Sequence, residues 1–142
     1  MIDQLTVFLE NSEGRLRALV RALADANVNM SALTIADTAD FGLVRIICAD
    51  PERAAAVLRD NHFRAMVTKV SAIEVPNHPG GLVELMDLLA EHGLNIEYGY
   101  CFSVNDDKAV DVLKISGSKE AAQAAEILRE AGFKSLGQDD LR

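Results

Sequence analysis

Leu16-Arg17-Ala18-Leu19-Val20-Arg21-Ala22-Leu23-Ala24 returns later in the chain as Leu82-Val83-Glu84-Leu85-Met86-Asp87-Leu88-Leu89-Ala90, every residue displaced by 66 positions. In both runs apolar residues fall at i, i+3, i+4, i+7 and i+8, the spacing of a helix that buries one face on a sheet. The flanks repeat as well. Asn11 and Gly14 precede the first run as Asn77 and Gly80 precede the second, and Val28-Asn29-Met30 follows one as Leu94-Asn95-Ile96 follows the other. A fixed internal period is read before any other signal, and this one predicts two copies of a small domain, residues 1–68 and 69–142.

Working outward from the helix gives the rest of the unit. Leu5, Val7 and Leu9 alternate with Gln4, Thr6, Phe8 and Glu10, the period of a strand with one buried face, and Ser71, Ile73 and Val75 are its counterpart. Ser12 or Asn11 is expected to cap the first helix; Asn77 or His78 stands where the second begins, with Pro79 in the first turn. Leu16 and Leu82 read as core, and Arg15, Arg17, Arg21 and Asp25 as the solvent-facing side. The helices stop at Asn27 and Gly93, the two residue types that best tolerate left-handed dihedrals.

Further strands are expected over Val28 to Thr38 and Leu43 to Ala49, and in the second copy over Leu94 to Val104 and Ala109 to Ile115. A second helix opens at Pro51 with Ala54, Val57 and Leu58, echoed 70 positions on by Ala124, Ile127 and Leu128. Phe63 and Phe133 follow, each before a short extended piece. From Ala65 to Val75 the chain reads as one unbroken run, without a linker between the copies. The order strand, helix, strand, strand, helix, strand predicts an α+β fold: two ferredoxin-like βαββαβ units, each a four-stranded antiparallel sheet with two helices on one face.

Composition narrows the function classes. At 49% hydrophobic and 25% charged residues the chain is of ordinary globular type, and no run of 18 apolar residues suggests a membrane span. The first residues lack the pattern of a signal peptide, which predicts a cytoplasmic protein. The net charge of −8 and the 5% aromatic content count against a nucleic-acid surface, which needs clustered cations and stacking rings. Cys48 and Cys101 lack CxxC spacing and read as buried free thiols. His62, His78 and His92 have no partner at metal-ligand spacing, so neither a metal nor a cofactor is expected. Tyr98 and Tyr100 project from one sheet face, as pocket lining or as packing.

A strand, then Asn-x-x-Gly-x-Leu, then the amphipathic helix, then Asn/Gly-hydrophobic-Asn-hydrophobic resembles the ACT domain, the amino-acid-sensing module of metabolic regulation. Both copies carry it, and Asn77-His78-Pro79-Gly80-Gly81-Leu82 with His92-Gly93-Leu94-Asn95-Ile96 is the closer match. The matches cover almost the whole chain, which is similar to a stand-alone tandem ACT protein.

By that resemblance the effector, a small amino acid, lies between the strand-to-helix loop and a neighbouring unit. One candidate site is Asn11, Ser12, Glu13, Gly14, Arg15 and Leu16, with Asn29 and Met30; the other is Asn77, His78, Pro79, Gly80, Gly81 and Leu82, with Asn95 and Ile96. The physics of the loop agrees, since unpaired N–H groups at a helix start hold a carboxylate and Gly permits its close approach. Asn stands at 11 and 77 where the family has Asp, keeping an acceptor but removing the charge that attracts an ammonium. Glu13 stands where Pro is usual. The two loops differ, and repeat 2 is the expected better binder.

These features imply a non-catalytic regulator that binds a small molecule at ACT–ACT interfaces, works as a homodimer and signals to a metabolic enzyme. The alternative is an interaction subunit without a ligand, binding a protein partner through its sheets or helices. No nucleophile–base pair or phosphate loop suggests an enzyme.

Overall fold

The computed structural model describes residues 1–37 and 40–141. Two compact units are present: Asp3–Thr68, grouped with Leu141, and Lys69–Asp140, grouped with Met1–Ile2.

In the first unit, β1 (Ile2–Glu10) leads to α1 (Arg15–Asp25), β2 (Met30–Asp37), β3 (Phe41–Cys48) and α2 (Pro51–Asp60), and the chain then enters β4 (Arg64–Pro76). The strand order is β2-β3-β1-β4. Register sets the core: Leu5 pairs with Ile46 and Val7 with Val44, so their side chains share the face on which Leu19 and Leu23 of α1 and Leu58 of α2 are buried. On the opposite face the Thr6 and Thr68 hydroxyls bond at 3.0 Å.

The second unit repeats the plan. The later part of β4 is followed by α3 (Gly81–Glu91), β5 (Ile96–Val104), β6 (Lys108–Ile115) and α4 (Ser118–Glu130). β6 lies between β4 and β5, antiparallel to both. Ile73, Val75, Leu113 and Ile115 meet Leu85, Leu89 and Leu128 in its core. The expected closing strand near Phe133 to Leu136 is reduced to a bridge between Ser135 and Ile73, flanked by Glu74 N–H to Lys134 O at 2.9 Å and Leu136 N–H to Ala72 O at 2.8 Å.

Among the described residues the four α-helices stop by one device. Asn27, His62, Gly93 and Gly132 adopt positive φ, and the next N–H reaches back to a carbonyl five residues earlier, as in Val28 to Leu23 at 2.9 Å and Leu94 to Leu89 at 3.0 Å. That arrangement satisfies carbonyls the helix would otherwise leave open.

Their starts differ from expectation. α2 has a side-chain cap, Asp50 Oδ1 accepting from Arg53 N–H at 3.1 Å, ahead of Pro51. α1 and α3 have none: Gly14 and Gly80 occupy the cap position with φ of 85°, left-handed dihedrals that glycine alone adopts cheaply. Asn11, Ser12, Asn77 and His78 lie farther back, so they are not the caps, and Pro79 precedes the helix instead of entering its first turn.

Three other expectations are corrected. β2 begins at Met30 and β5 at Ile96, because Val28 and Leu94 are consumed in closing the preceding helices; Thr38 lies outside the described residues. Cys48 is buried, but Cys101 is exposed on β5, where the sheet has no further strand to cover it. Leu16 and Leu82 are not core: they are 37% and 38% exposed, each in the first helical turn beside the exposed loop that precedes its helix.

Candidate functional site

Each candidate loop joins the end of a strand to the start of a helix. In the first, Ser12 N–H bonds Glu10 O at 2.8 Å, Arg15 N–H bonds Ser12 O at 3.3 Å, and Asn11 N–H reaches Asp40 O at 3.4 Å. Asn11, Ser12, Glu13 and Gly14 are exposed, and a Cβ on Gly14 would meet nothing within 4 Å. The helix start is therefore open to an approaching group, with N–H donors and the positive dipole end behind it.

The second loop is braced more firmly. Asn77 Nδ2 donates to Asn105 O at 2.6 Å and its backbone N–H to Asp107 O at 2.9 Å, so Asn77 clamps the β5–β6 turn. His78 Nδ1 lies 2.9 Å from Pro79 O, and Gly81 N–H bonds His78 O at 3.0 Å. Gly80, like Gly14, faces open space. Gly81 is required sterically, for a Cβ there would stand 2.0 Å from Pro76 O.

The remaining candidates are elsewhere. Asn29 and Met30 follow α1, and Asn95 and Ile96 follow α3, whereas the loops precede those helices. An eleven-residue helix is about 16 Å long, so within a unit the two groups do not converge on one small ligand. Asn95 is tied to the β6–α4 connection, Nδ2 to Ser116 Oγ at 2.9 Å and its carbonyl to Ser116 N–H at 2.9 Å. Asn29 lines a hollow of about 280 Å³ with Asn27, Asp50 and Arg53, and Arg53 donates to Ala26 O.

Arg15 is the largest departure from the sequence reading. It is half-buried instead of facing solvent, with its guanidinium carbon 4.4 Å above the centroid of the Phe63 ring, a cation–π contact. Its Nε is buried without a hydrogen-bond partner. The guanidinium lines a hollow of about 360 Å³ with Phe8, Glu10, Phe41, His62 and Arg64, side chains that sequence reasoning did not assign to a site. Arg64 lies 5.4 Å over the Phe8 ring, and Phe8 and Phe41 are tilted at 43° with centroids 6.2 Å apart.

Tyr98 and Tyr100 are half-buried and lie on the face turned away from α3 and α4, since Tyr100 pairs with Val112 while Leu113 and Ile115 enter the core. Among the described residues no group of His, Cys, Asp or Glu has the arrangement to hold a metal, and no helix is long and apolar enough to cross a membrane. On α4 the hydrogen-bonded Glu126 and Arg129 hold each other charged, lowering the Glu126 carboxyl and raising the Arg129 guanidinium. Burial pushes the Cys48 thiol up, with Asp50 acting on it as well, and burial raises the Asp111 carboxyl.

Two βαββαβ units with matching glycine-led helix starts define a tandem repeat of one α+β domain. The family model for an ACT domain pair matches residues 1–141, and the chain belongs to that family. It is similar to protein BT0572 from Bacteroides thetaiotaomicron, at 41% identity over 99% of this chain and 94% of that one, with a TM-score of 0.90. In fold it is similar to the regulatory subunit of aspartate kinase from Thermus thermophilus, at 12% identity over 92% of each chain, with a TM-score of 0.66. The corresponding subunit from Thermus flavus is 13% identical over 91% of each chain, with a TM-score of 0.62. No curated protein matches the sequence.

Proposed function

We propose that this chain is a regulatory protein of amino-acid metabolism, a pair of ACT domains at residues 1–68 and 69–142 that binds a small effector, an amino acid, and transmits its presence to a partner enzyme. The observation that carries this reading is the pair of uncapped helix starts at Gly14 and Gly80, both at φ of 85° and both open to approach. Membership of the ACT family supports it, as does the fold shared with two regulatory subunits of aspartate kinase. The loop and strand-start groups lie at opposite ends of each helix, so a site using both needs more than one unit; edge strands and small units favour a homodimer. The mechanism is a population shift: effector bound between units stabilises one arrangement over others.

A second reading, an interaction subunit without an effector, is favoured by the exposure of Leu16, Leu82 and Val83, the last at 55%. These apolar side chains lie in the first turns of α1 and α3 and suit a protein partner.

A thermal-shift screen against the common amino acids separates the two. Effector at about 100 times its dissociation constant adds about 2.7 kcal/mol to stability. A clear rise with at least one amino acid supports the first reading, and silence across the panel supports the second. Gly14→Asp and Gly80→Asp put a carboxylate at the two helix starts, and loss of response in at least one of them, with unchanged size in light scattering, is the expected result.

A further inference from the structure

The same hollow occurs in both units and is filled differently. In the second unit a hollow of about 320 Å³ has Glu74 and Pro76 on its wall, 66 positions after Phe8 and Glu10 of the first-unit hollow, and Lys108, which pairs with Pro76 as Phe41 pairs with Glu10. Gly132 and Lys134 lie on it too, 70 positions after His62 and Arg64, the displacement that also relates Phe63 to Phe133.

The second hollow carries its own anion. The Glu74 carboxylate is held by Lys108 Nζ at 3.2 Å and Lys134 Nζ at 3.8 Å, with its side chain only 19% exposed. At the place of Glu74 the first unit has Phe8, and at the place of Lys134 it has Arg64. One of the two cations has been kept, the place of Lys108 is taken by Phe41, and the resident carboxylate is replaced by an aromatic ring. A second cation comes instead from Arg15, which stands at the place of Gly81, where the second unit has no room for any side chain. Among the described residues no carboxylate forms an ion pair with Arg15 or Arg64, and the buried Arg15 Nε has no acceptor. Among the described residues Glu10 is the single acid on the wall, against two guanidinium groups.

From this contrast we infer that the first-unit hollow binds an organic carboxylate with an apolar body of aryl size. The carboxylate takes the role that Glu74 fills in the second unit, accepting from the Arg64 and Arg15 guanidinium groups, whose planar donors suit a carboxylate. Its body lies against Phe8 and Phe41, which are 40% and 44% exposed and present ring surface to the hollow. A plain aryl acid and an aromatic α-amino acid share this chemistry, the latter also offering its ammonium to Glu10. The site extends the effector reading to named side chains of one unit, and it rests on that reading only in assuming that the chain holds a small effector.

The test is calorimetric titration of the full chain with 3-phenylpropionate and, separately, with L-phenylalanine. Saturable binding of at least one is expected; tighter L-phenylalanine assigns the amino acid, and tighter 3-phenylpropionate the plain acid. Phe8→Glu restores in the first unit the carboxylate of the second, and is expected to weaken binding by about tenfold or more, as is Arg64→Gln, while Arg64→Lys keeps most of it. Circular dichroism confirms that each variant folds. Glu74→Phe frees Lys108 and Lys134 and is expected to create a second binding event. Absence of binding by both probes, or affinity unchanged in both Phe8→Glu and Arg64→Gln, overturns the inference. Binding lost in Gly80→Asp but kept in Phe8→Glu overturns it too, and places the effector in the loop.

Discussion

Leu16 and Leu19 stand one turn apart on α1, and their environments predict opposite responses to truncation. Leu19 is fully buried among Leu5, Val7, Leu23 and Ile46, as Leu85 is in the second core, so Leu→Ala at either removes packed methyl groups and leaves a cavity. Such changes cost about 2–5 kcal/mol, and about 3 kcal/mol is expected for these two. Leu16 and Leu82 keep more than a third of their surface in water and leave no closed cavity. Full burial of a leucine is worth about 1.5–3 kcal/mol, so about 1 kcal/mol is the ceiling expected for Leu16→Ala or Leu82→Ala, partly offset by the higher helix propensity of alanine. Urea denaturation followed by circular dichroism measures the difference, with the comparison made inside one unit so that both variants share a transition. If Leu16→Ala costs as much as Leu19→Ala, the leucine is a core residue and the exposed apolar surface assigned to the helix starts does not exist.

Gly81→Ala forces a methyl group against Pro76 O and is expected to cost about 1–3 kcal/mol in the same urea assay, whereas Gly81 replaced by anything larger is expected to fail to accumulate. Asp111, raised by burial, is destabilising when charged: the unfolded chain loses this proton first, so stability falls as pH rises from the ordinary carboxylate range through the folded-state value. Asp111→Asn is therefore expected to raise the melting temperature at pH 7 and to flatten that part of the pH profile; an unchanged or lower melting temperature contradicts the burial assignment. Thiol titration with a disulfide reagent is expected to modify Cys101 rapidly and Cys48 only in denaturant, since Cys48 is buried and its thiol is pushed up.

The sequence carried the architecture because the repeat and the apolar periods are local signals that packing merely confirms. β4 illustrates this: the absence of Gly or Pro between Ala65 and Val75 predicted a continuous strand, and Arg64–Pro76 forms one. Positions at the ends of elements were less legible. Leu16 and Leu82 obey the helical stripe, but whether a stripe residue is covered depends on what the tertiary fold sets against it, and periodicity does not contain that. The caps at 11 and 77 were misplaced because Asx residues suit caps and turns equally, and the positive φ of Gly14 and Gly80 took the cap position from them.

The first-unit hollow was hidden for a different reason. Its walls come from β1, α1, β3 and the α2–β4 junction, and only Arg15 belonged to a motif. A signal was nonetheless present: aligning the repeats along their strands pairs Phe8 with Glu74 and Arg64 with Lys134, a loss of acid beside a retained cation. That divergence also changes which unit is the better candidate binder. Loop chemistry alone favoured the second repeat, while the guanidinium groups of Arg15 and Arg64, without an ion pair among the described residues, favour the first.

Effector binding is the central claim, and calorimetry of the unmodified chain with the twenty amino acids and 3-phenylpropionate tests it most directly. Saturable heat from at least one of these compounds, with a fixed stoichiometry per chain, is the predicted result. A panel without any saturable heat, from protein that is folded and of defined size, contradicts the account and leaves a purely structural pair of domains.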